Sequence, residues 1–250
     1  MSVKITKKEN QAFGSFAGGA ILENKPIGFP QDGGVQKPYS NLFYWANAWS
    51  DKGGLIGEHP HKMFEIISFV LEGEIQHYDS KLNGWLSLSK GDVQIIRSGS
   101  GITHAEKINA GARIFQIWFD PNIKKTIEQP ATYNDYKSDE IHRFEQDGIS
   151  YKNYIGNGGP VKMDSEGVEI NELFFSKGEH QLTLIENKIH SFYLLEGGLN
   201  VNGETMEKEG FMIIENEKEL KLNTENDARL FWIATPQKLS HKTYIEIVNN

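Results

Sequence analysis

Short apolar runs of strand length recur along the chain, and each is bounded by Gly, Asn, Asp or Ser. Val, Ile, Phe, Tyr and Trp dominate these runs, whereas helical periodicity is almost absent. This composition and spacing are typical of an all-β sandwich or barrel. The pattern predicts strands at residues 42–49, 64–72, 85–89, 92–98, 112–119, 169–176, 180–186, 191–196, 211–215 and 229–235.

An internal repeat divides the chain into two halves. The segment SFVLEGEIQHYDS at 68–80 is echoed by SFYLLEGGLNVNG at 191–203, and similar strands follow each copy. Between the halves, residues 120–148 are polar and carry two prolines, so we interpret them as a connection with one short helix. We therefore predict two antiparallel, jelly-roll-like β-barrel domains, at residues 1–136 and 137–250.

Composition narrows the classes of function. The 250 residues include no cysteine, which excludes disulfides, thiolate metal sites and a cysteine nucleophile. The net charge of -8 argues against a nucleic-acid scaffold, which would show a basic stripe. No apolar run approaches the roughly 20 residues of a membrane span, and the N-terminus lacks the apolar segment of a signal peptide. We expect a cytoplasmic protein that binds neither nucleic acid directly nor a membrane.

Two pairs of metal-binding residue types stand at strand spacing in the N-terminal half. His59 and His61 are two residues apart, as are His104 and Glu106, so each pair can share one face of a strand. Glu65 offers a further carboxylate close to the first pair. We predict one mononuclear divalent metal site. Imidazole and carboxylate donors suit iron, nickel, zinc, copper, cobalt or manganese, but not calcium or magnesium.

The second copy of the repeat lacks these residue types. When the two copies are aligned on the Leu-Glu-Gly turn, the positions of His59, His61 and Glu65 correspond to Thr183, Ile185 and Ile189. A purely structural role for the histidines would favour their retention in both copies. The comparison predicts a metal site in the first domain and a degenerate second domain without metal.

The first half resembles the pirin family of the cupin superfamily. The segments HPHKMFEIISFVLEGEIQHYDS and GDVQIIRSGSGITHAE are similar to the two ordered family motifs, ARIFQIW is similar to the family's next strand, and EQPATYNDY is similar to its linker. The match covers about residues 55–136. The sequence departs from the family at Lys62-Met63, at residues 97–100 and at LFYWANAW, near the expected mouth of the pocket.

The resemblance implies a bicupin fold with iron(II) in the first barrel only. It maps the metal ligands onto His59, His61, His104 and Glu106, and it makes Glu65 a neighbouring pocket residue. It also implies an iron-dependent, quercetin 2,3-dioxygenase-type activity on a small aromatic substrate, with Glu106 or Glu65 as the catalytic carboxylate. The alternative is a non-enzymatic, metal-dependent regulator that binds a protein partner. The sequence alone leaves open whether the protein is an enzyme.

Overall fold

The computed structural model describes residues 3–81 and 83–249. Each predicted strand overlaps an observed one, and the strands in chain order are β1 (Lys4–Thr6), β2 (Ala12–Phe16), β3 (Ile21–Ile27), β4 (Leu42–Ser50), β5 (Gly54–His61), β6 (Glu65–Glu72), β7 (Glu74–Asp79), β8 (Gly84–Ser89), β9 (Val93–Arg97), β10 (Ile102–Ile108), β11 (Ala112–Phe119), β12 (Thr132–Tyr136), β13 (His142–Gln146), β14 (Ile149–Ile155), β15 (Glu169–Phe175), β16 (Gly178–Thr183), β17 (Lys188–Glu196), β18 (Leu199–Val201), β19 (Glu204–Met206), β20 (Phe211–Glu215), β21 (Glu219–Thr224) and β22 (Ala228–Pro236).

The helices are short. Helix α1 (Ile123–Thr126) lies in the predicted connection, together with the strands β12 and β13 that its polar sequence concealed. Helix α2 (Tyr244–Val248) begins with a capping box, in which Thr243 and Glu246 each bond the backbone N–H of the other. Two single 3₁₀ turns lie at Lys8–Asn10 and Ala17–Gly19. Within the described residues, no helix is long and apolar enough to cross a membrane.

The strands form two copies of one arrangement. One copy has a seven-stranded sheet of order β12-β9-β6-β11-β4-β3-β2 and a four-stranded sheet of order β5-β10-β7-β8. The other has the orders β1-β20-β17-β22-β15-β14-β13 and β16-β21-β18-β19, which match the first strand for strand. The prediction of an all-β bicupin is confirmed. Within the described residues the two sheets of each copy are separate, so each is an antiparallel β-sandwich of the cupin type and not a closed barrel.

The two compact units exchange short segments. The N-terminal unit comprises Gln11–Glu140, Met163–Glu166 and the chain from Ser240 onward, whereas the C-terminal unit comprises the rest. The segment before Gln11 belongs to the C-terminal unit because β1 pairs with β20 there. The bounds predicted at residues 136 and 137 do not anticipate these exchanges. The outer ends of the predicted domains, residues 1 and 250, lie outside the described part of the chain.

The two units fill the space between their sheets differently. In the C-terminal unit that space holds a continuous apolar core, which includes Leu182, Phe192, Val201, Leu222 and Trp232. In the N-terminal unit an apolar cluster, which includes Ile21, Ile75, Leu88, Ile108 and Ile114, occupies only part of the space. Polar side chains and a cavity take the remainder. The C-terminal unit therefore serves as a comparison, because it has the same arrangement of strands but fills the space between its sheets with apolar side chains.

Candidate metal centre

A β-bulge in β5 sets the direction of the first histidine pair. Glu106 pairs with Ile56 and His104 with His59, so three steps along β5 oppose two steps along β10. The extra residue lies beside Gly57, in the stretch before His59. A bulge turns the strand and re-aims the side chains that follow it, and bulges are frequent next to active sites. The corresponding pair of strands, β16 and β21, has a continuous register without a bulge.

Three imidazoles converge at this bulge. His59, His61 and His104 each offer a ring nitrogen, and these three atoms lie within 4.8 Å of one another. His59 Nε2 is 2.9 Å from His104 Nε2. His59 Nδ1 is 2.8 Å from the carbonyl oxygen of Gly57, so Nδ1 carries the proton and donates, and Nε2 keeps its lone pair. The structure thus brings the three sequence-predicted histidines together, and the lone pair of His59 Nε2 lies on the side of His104.

The electrostatics of the cluster favour the neutral form of His61 and His104. Burial, reinforced by His104 and His59, lowers the pKa of His61 to about 3. Burial, reinforced by His59 and His77, lowers the pKa of His104 to about 2. Neutral imidazole is the form that binds a metal. His61 Nε2 is buried and has no hydrogen-bond partner among the described residues, so a bound cation would satisfy it. These observations fit a first-row transition metal.

Glu106, the predicted fourth ligand, lies in the same cavity but outside the group of three imidazoles. Gln116 Nε2 donates to Glu106 Oε2 at 2.7 Å, and Ser68 Oγ is 3.5 Å from Glu106 Oε1. Gln116 therefore fixes one carboxylate oxygen, while the other is only weakly bound. The ligand role of Glu106 stays a prediction.

Glu65 has a different environment from the one its sequence position suggested. Its carboxylate accepts hydrogen bonds from the backbone N–H of Asp164 and Ser165, both at 2.7 Å, and from Ser165 Oγ at 2.6 Å. Arg97 Nε lies 3.7 Å from Glu65 Oε1. The side chain is buried and does not line the cavity of the histidines. The geometry gives Glu65 the role of anchoring the segment Met163–Glu166.

His77 is a site residue that sequence reasoning missed. Its Nε2 lies 3.2 Å from His104 Nδ1, and its Nδ1 lies 3.9 Å from Asp79 Oδ2. His77 and Asp79 are fully buried, and they stand opposite Glu106 and His104 in the ladder between β7 and β10. A ring nitrogen behind a metal-binding histidine fixes its tautomer and orientation. The sequence did contain a signal for His77. His77 and Asp79 are two residues apart on β7, which is the same spacing as in the predicted ligand pairs on β5 and β10.

We expect His77→Phe to weaken metal binding by about 10- to 100-fold, because His104 Nδ1 loses its hydrogen-bond acceptor. His77→Gln should retain most of the affinity, since an amide oxygen can replace Nε2 as acceptor. Titration of the metal-free proteins with Zn²⁺ or Ni²⁺ measures the effect, and His142→Gln, at an exposed position on β13, is the control. Equal affinities for wild type and His77→Phe would contradict this role.

The cavity beside the histidines is largely apolar. It has a volume of about 420 Å³, and its walls include Phe16, Phe29, Ile56, Ile114 and Trp118. Phe29 and Trp118 meet edge to face, with ring centroids 5.3 Å apart, and Trp118 also meets His61 edge to face at 4.8 Å. An apolar cleft with a few convergent polar groups is the usual form of a small-molecule site. Flat aromatic ligands suit these walls.

The C-terminal unit replaces the polar interior with apolar side chains. Gly73 corresponds to Gly197 in the repeat, and the same offset places Phe192 and Val201 at the positions of Ser68 and His77. Strand pairing then assigns further equivalents. Trp232 stands for Gln116, Leu222 for Glu106, Leu220 for His104 and Leu182 for His59. The alignment on the Leu-Glu-Gly turn matched His59 with Thr183. Because the bulge in β5 adds one residue, strand pairing matches His59 with Leu182 instead.

The chain is similar in sequence to known proteins. Residues 39–119 match the sequence profile of the Pirin family. A pirin-like protein of Caulobacter vibrioides is 25% identical over 199 residues, which cover 74% of this chain and 70% of that protein.

Solved structures share the fold over most of the chain. The bacterial pirin YhhW of Escherichia coli, in complex with nickel(II), aligns with a TM-score of 0.77 at 19% identity, over 95% of this chain and 100% of its own. A quercetin 2,3-dioxygenase of Acinetobacter baumannii aligns with a TM-score of 0.70 at 22% identity, over 84% of this chain and 83% of its own.

Proposed function

We propose that this chain, whose residues 39–119 match the sequence profile of the Pirin family, is a pirin-like, metal-dependent dioxygenase of flavonol- or catechol-type aromatic compounds. The observation that carries the proposal is the cluster of three imidazoles at the edge of an apolar, aromatic-walled cavity. The name of the Acinetobacter baumannii relative, a quercetin 2,3-dioxygenase, supports the substrate class. We also propose a cytoplasmic location.

We propose one iron(II) ion, held by His59, His61 and His104, with Glu106 as the fourth ligand. The nickel in the Escherichia coli relative supports a first-row transition metal, and manganese, nickel, cobalt, copper and zinc also suit the donors. When bound, such a metal supplies Lewis-acid and redox activation of the substrate and of dioxygen.

The residues of the chain supply binding and proton transfer. Glu106 is the proposed acceptor of the proton from a substrate hydroxyl, because Ser68 binds its Oε1 only weakly at 3.5 Å. Gln116 holds Oε2 at 2.7 Å and so keeps the carboxylate directed into the cavity. Phe29 and Trp118 pack against substrate rings and exclude water. The proposal gives Glu65 no chemical step, because its carboxylate anchors the backbone of Asp164 and Ser165.

Oxygen uptake by the iron-loaded protein tests the proposal. With quercetin or another flavonol as substrate, we expect wild type to consume oxygen at least about 100-fold faster than His59→Ala, which loses a metal ligand. His142→Ala, an exposed histidine on β13, is the matched control and should keep the wild-type rate. Equal rates for wild type and His59→Ala across flavonols and catechols would show that the dioxygenase proposal is wrong. Metal-dependent binding of a defined partner protein would then be the test of the alternative, a regulator that binds a protein partner.

A further inference from the structure

A second polar group faces the cavity from the sheet opposite the metal donors. The metal-binding histidines lie on β5 and β10 of the four-stranded sheet, whereas Glu23 and Tyr44 lie on β3 and β4 of the seven-stranded sheet. Both Glu23 and Tyr44 line the cavity, and both are buried. Tyr44 donates its hydroxyl proton to Glu23 Oε2 at 2.9 Å. A ligand in the cavity therefore lies between a metal site and a carboxylate.

The network behind this pair holds the carboxylate of Glu23 in place beside a cationic side chain. Lys25 Nζ is 3.2 Å from Glu23 Oε1 and 2.7 Å from Asp32 Oδ2. Lys25 is itself buried, and Asp32 also accepts a hydrogen bond from the backbone N–H of Phe29 at 3.0 Å. A buried carboxylate requires such compensation, because an isolated charge there would be strongly unfavourable. Lys25 supplies the opposite charge. Asp32, the second partner of Lys25, is held by the backbone N–H of Phe29.

The pair can offer a ligand only hydrogen-bond acceptors. The proton of Tyr44 is engaged by Glu23, and burial together with the charge of Glu23 raises the pKa of Tyr44 well above its usual value. The phenol oxygen of Tyr44 and the carboxylate oxygens of Glu23 retain lone pairs. A neutral O–H or N–H group satisfies these acceptors. A methyl ether leaves them unpaired, and a ligand carboxylate is repelled by the charge of Glu23.

We propose that Glu23 and Tyr44 determine specificity, by selecting aromatic ligands that carry a neutral hydroxyl group in addition to the oxygens that face the metal. This inference rests on the proposed function, since it assumes an aromatic ligand in this cavity. It deepens that function by adding a requirement at the end of the ligand away from the metal. Simple carboxylic acids, and flavonols without additional hydroxyl groups, are disfavoured.

The C-terminal unit contains a second hydrogen-bonded tyrosine–glutamate pair, which serves as a comparison for a purely structural role of Glu23 and Tyr44. In the C-terminal unit Tyr154 donates to Glu172 Oε2, also at 2.9 Å, and Arg229 Nε lies 3.4 Å from Glu172 Oε1. Glu172 follows the alternation of β15, so it points away from the face on which Leu173 joins the core between the sheets. The two pairs share the same hydrogen bond and a cationic neighbour, but only Glu23 and Tyr44 line the cavity. Tyr154→Phe is therefore the matched control.

The test measures binding to the zinc-loaded full chain, because zinc has no redox chemistry and the ligand is not consumed. Two probes are compared, quercetin and 3-hydroxyflavone, which share the ketone and hydroxyl next to each other but differ in the remaining hydroxyl groups. Quenching of tryptophan fluorescence reports binding. We expect wild type to bind quercetin about 10- to 100-fold more tightly, because one hydroxyl donates to a charged acceptor.

The variants separate specificity from folding. Glu23→Gln should reduce the preference for quercetin by at least about tenfold, and Tyr44→Phe, which removes only an oxygen atom, by at least about threefold. Tyr154→Phe should keep the wild-type preference. A wild-type protein without preference, or a preference that survives both Glu23→Gln and Tyr44→Phe, would overturn the inference. A preference that responds as expected without oxygen uptake by the iron-loaded protein would instead reject the dioxygenase proposal and retain the binding site.

Discussion

Replacing His104 with alanine is expected to lower metal affinity by more than about 100-fold, so that the purified variant carries only background metal. His104 is the central residue of the cluster, because its Nε2 faces His59 Nε2 at 2.9 Å and its Nδ1 faces His77 at 3.2 Å. Elemental analysis of the proteins after loading measures the effect. Thermal unfolding gives a second readout, since metal at 100 times its dissociation constant stabilises the folded protein by about 2.7 kcal/mol. His104→Ala should lose this stabilisation.

Two further variants make the outcome specific. His142→Ala, at an exposed position, should bind metal as wild type does. Glu106→Gln tests the fourth ligand, because the amide keeps an oxygen for Gln116 but loses the charge and the second carboxylate oxygen. We expect it to lower affinity by about 10-fold, less than His104→Ala. Equal metal content in wild type and His104→Ala would show that the three imidazoles do not form the site.

The sequence predicted the members of the cluster but not their arrangement. Spacing of two residues correctly placed His59 with His61 on one strand and His104 with Glu106 on another. The sequence shows this spacing directly, because alternate side chains of a strand share one face. Spacing contains no information about the bulge near Gly57, which depends on how β5 pairs with β10. It also contains no information about which carboxylate the fold turns inward. Glu65 begins a buried strand, but its partner is a segment about 100 residues later in the chain.

Two of the strands that the pattern missed, β3 and β13, lack an apolar run for different physical reasons. Strand β3 carries the buried polar residues Glu23, Asn24 and Lys25, of which Glu23 and Lys25 form an ion pair, so its hydrophobic signal is weak. Strand β13 is exposed throughout and lies at the edge of its sheet. The internal repeat identified two equivalent sandwiches, because the core strands of both copies are apolar. Edge strands and strands with buried polar groups lack that pattern, and β3 carries Glu23, one of the two residues that we propose to select the ligand.

Replacing Glu65 with leucine is expected to destabilise the protein by about 3 kcal/mol, because three donors to one buried carboxylate lose their acceptor. The donors are the backbone N–H groups of Asp164 and Ser165 and the hydroxyl of Ser165, at 2.6 to 2.7 Å. Glu65→Gln should cost less, since its amide oxygen still accepts from one or two of them. Denaturant unfolding of the metal-free proteins measures these differences.

The same variants separate anchoring from chemistry at the metal. Glu72→Gln, on the same strand, removes only an exposed ion pair with Lys90 and should cost less than about 1 kcal/mol. If Glu65 only anchors Met163–Glu166, Glu65→Gln keeps the wild-type metal affinity while its stability falls. If Glu65 instead served as a ligand or a base, Glu65→Gln would lose metal affinity or oxygen uptake while its stability stayed nearly unchanged. Because the carboxylate is buried by the segment it binds and does not line the histidine cavity, we expect the first result.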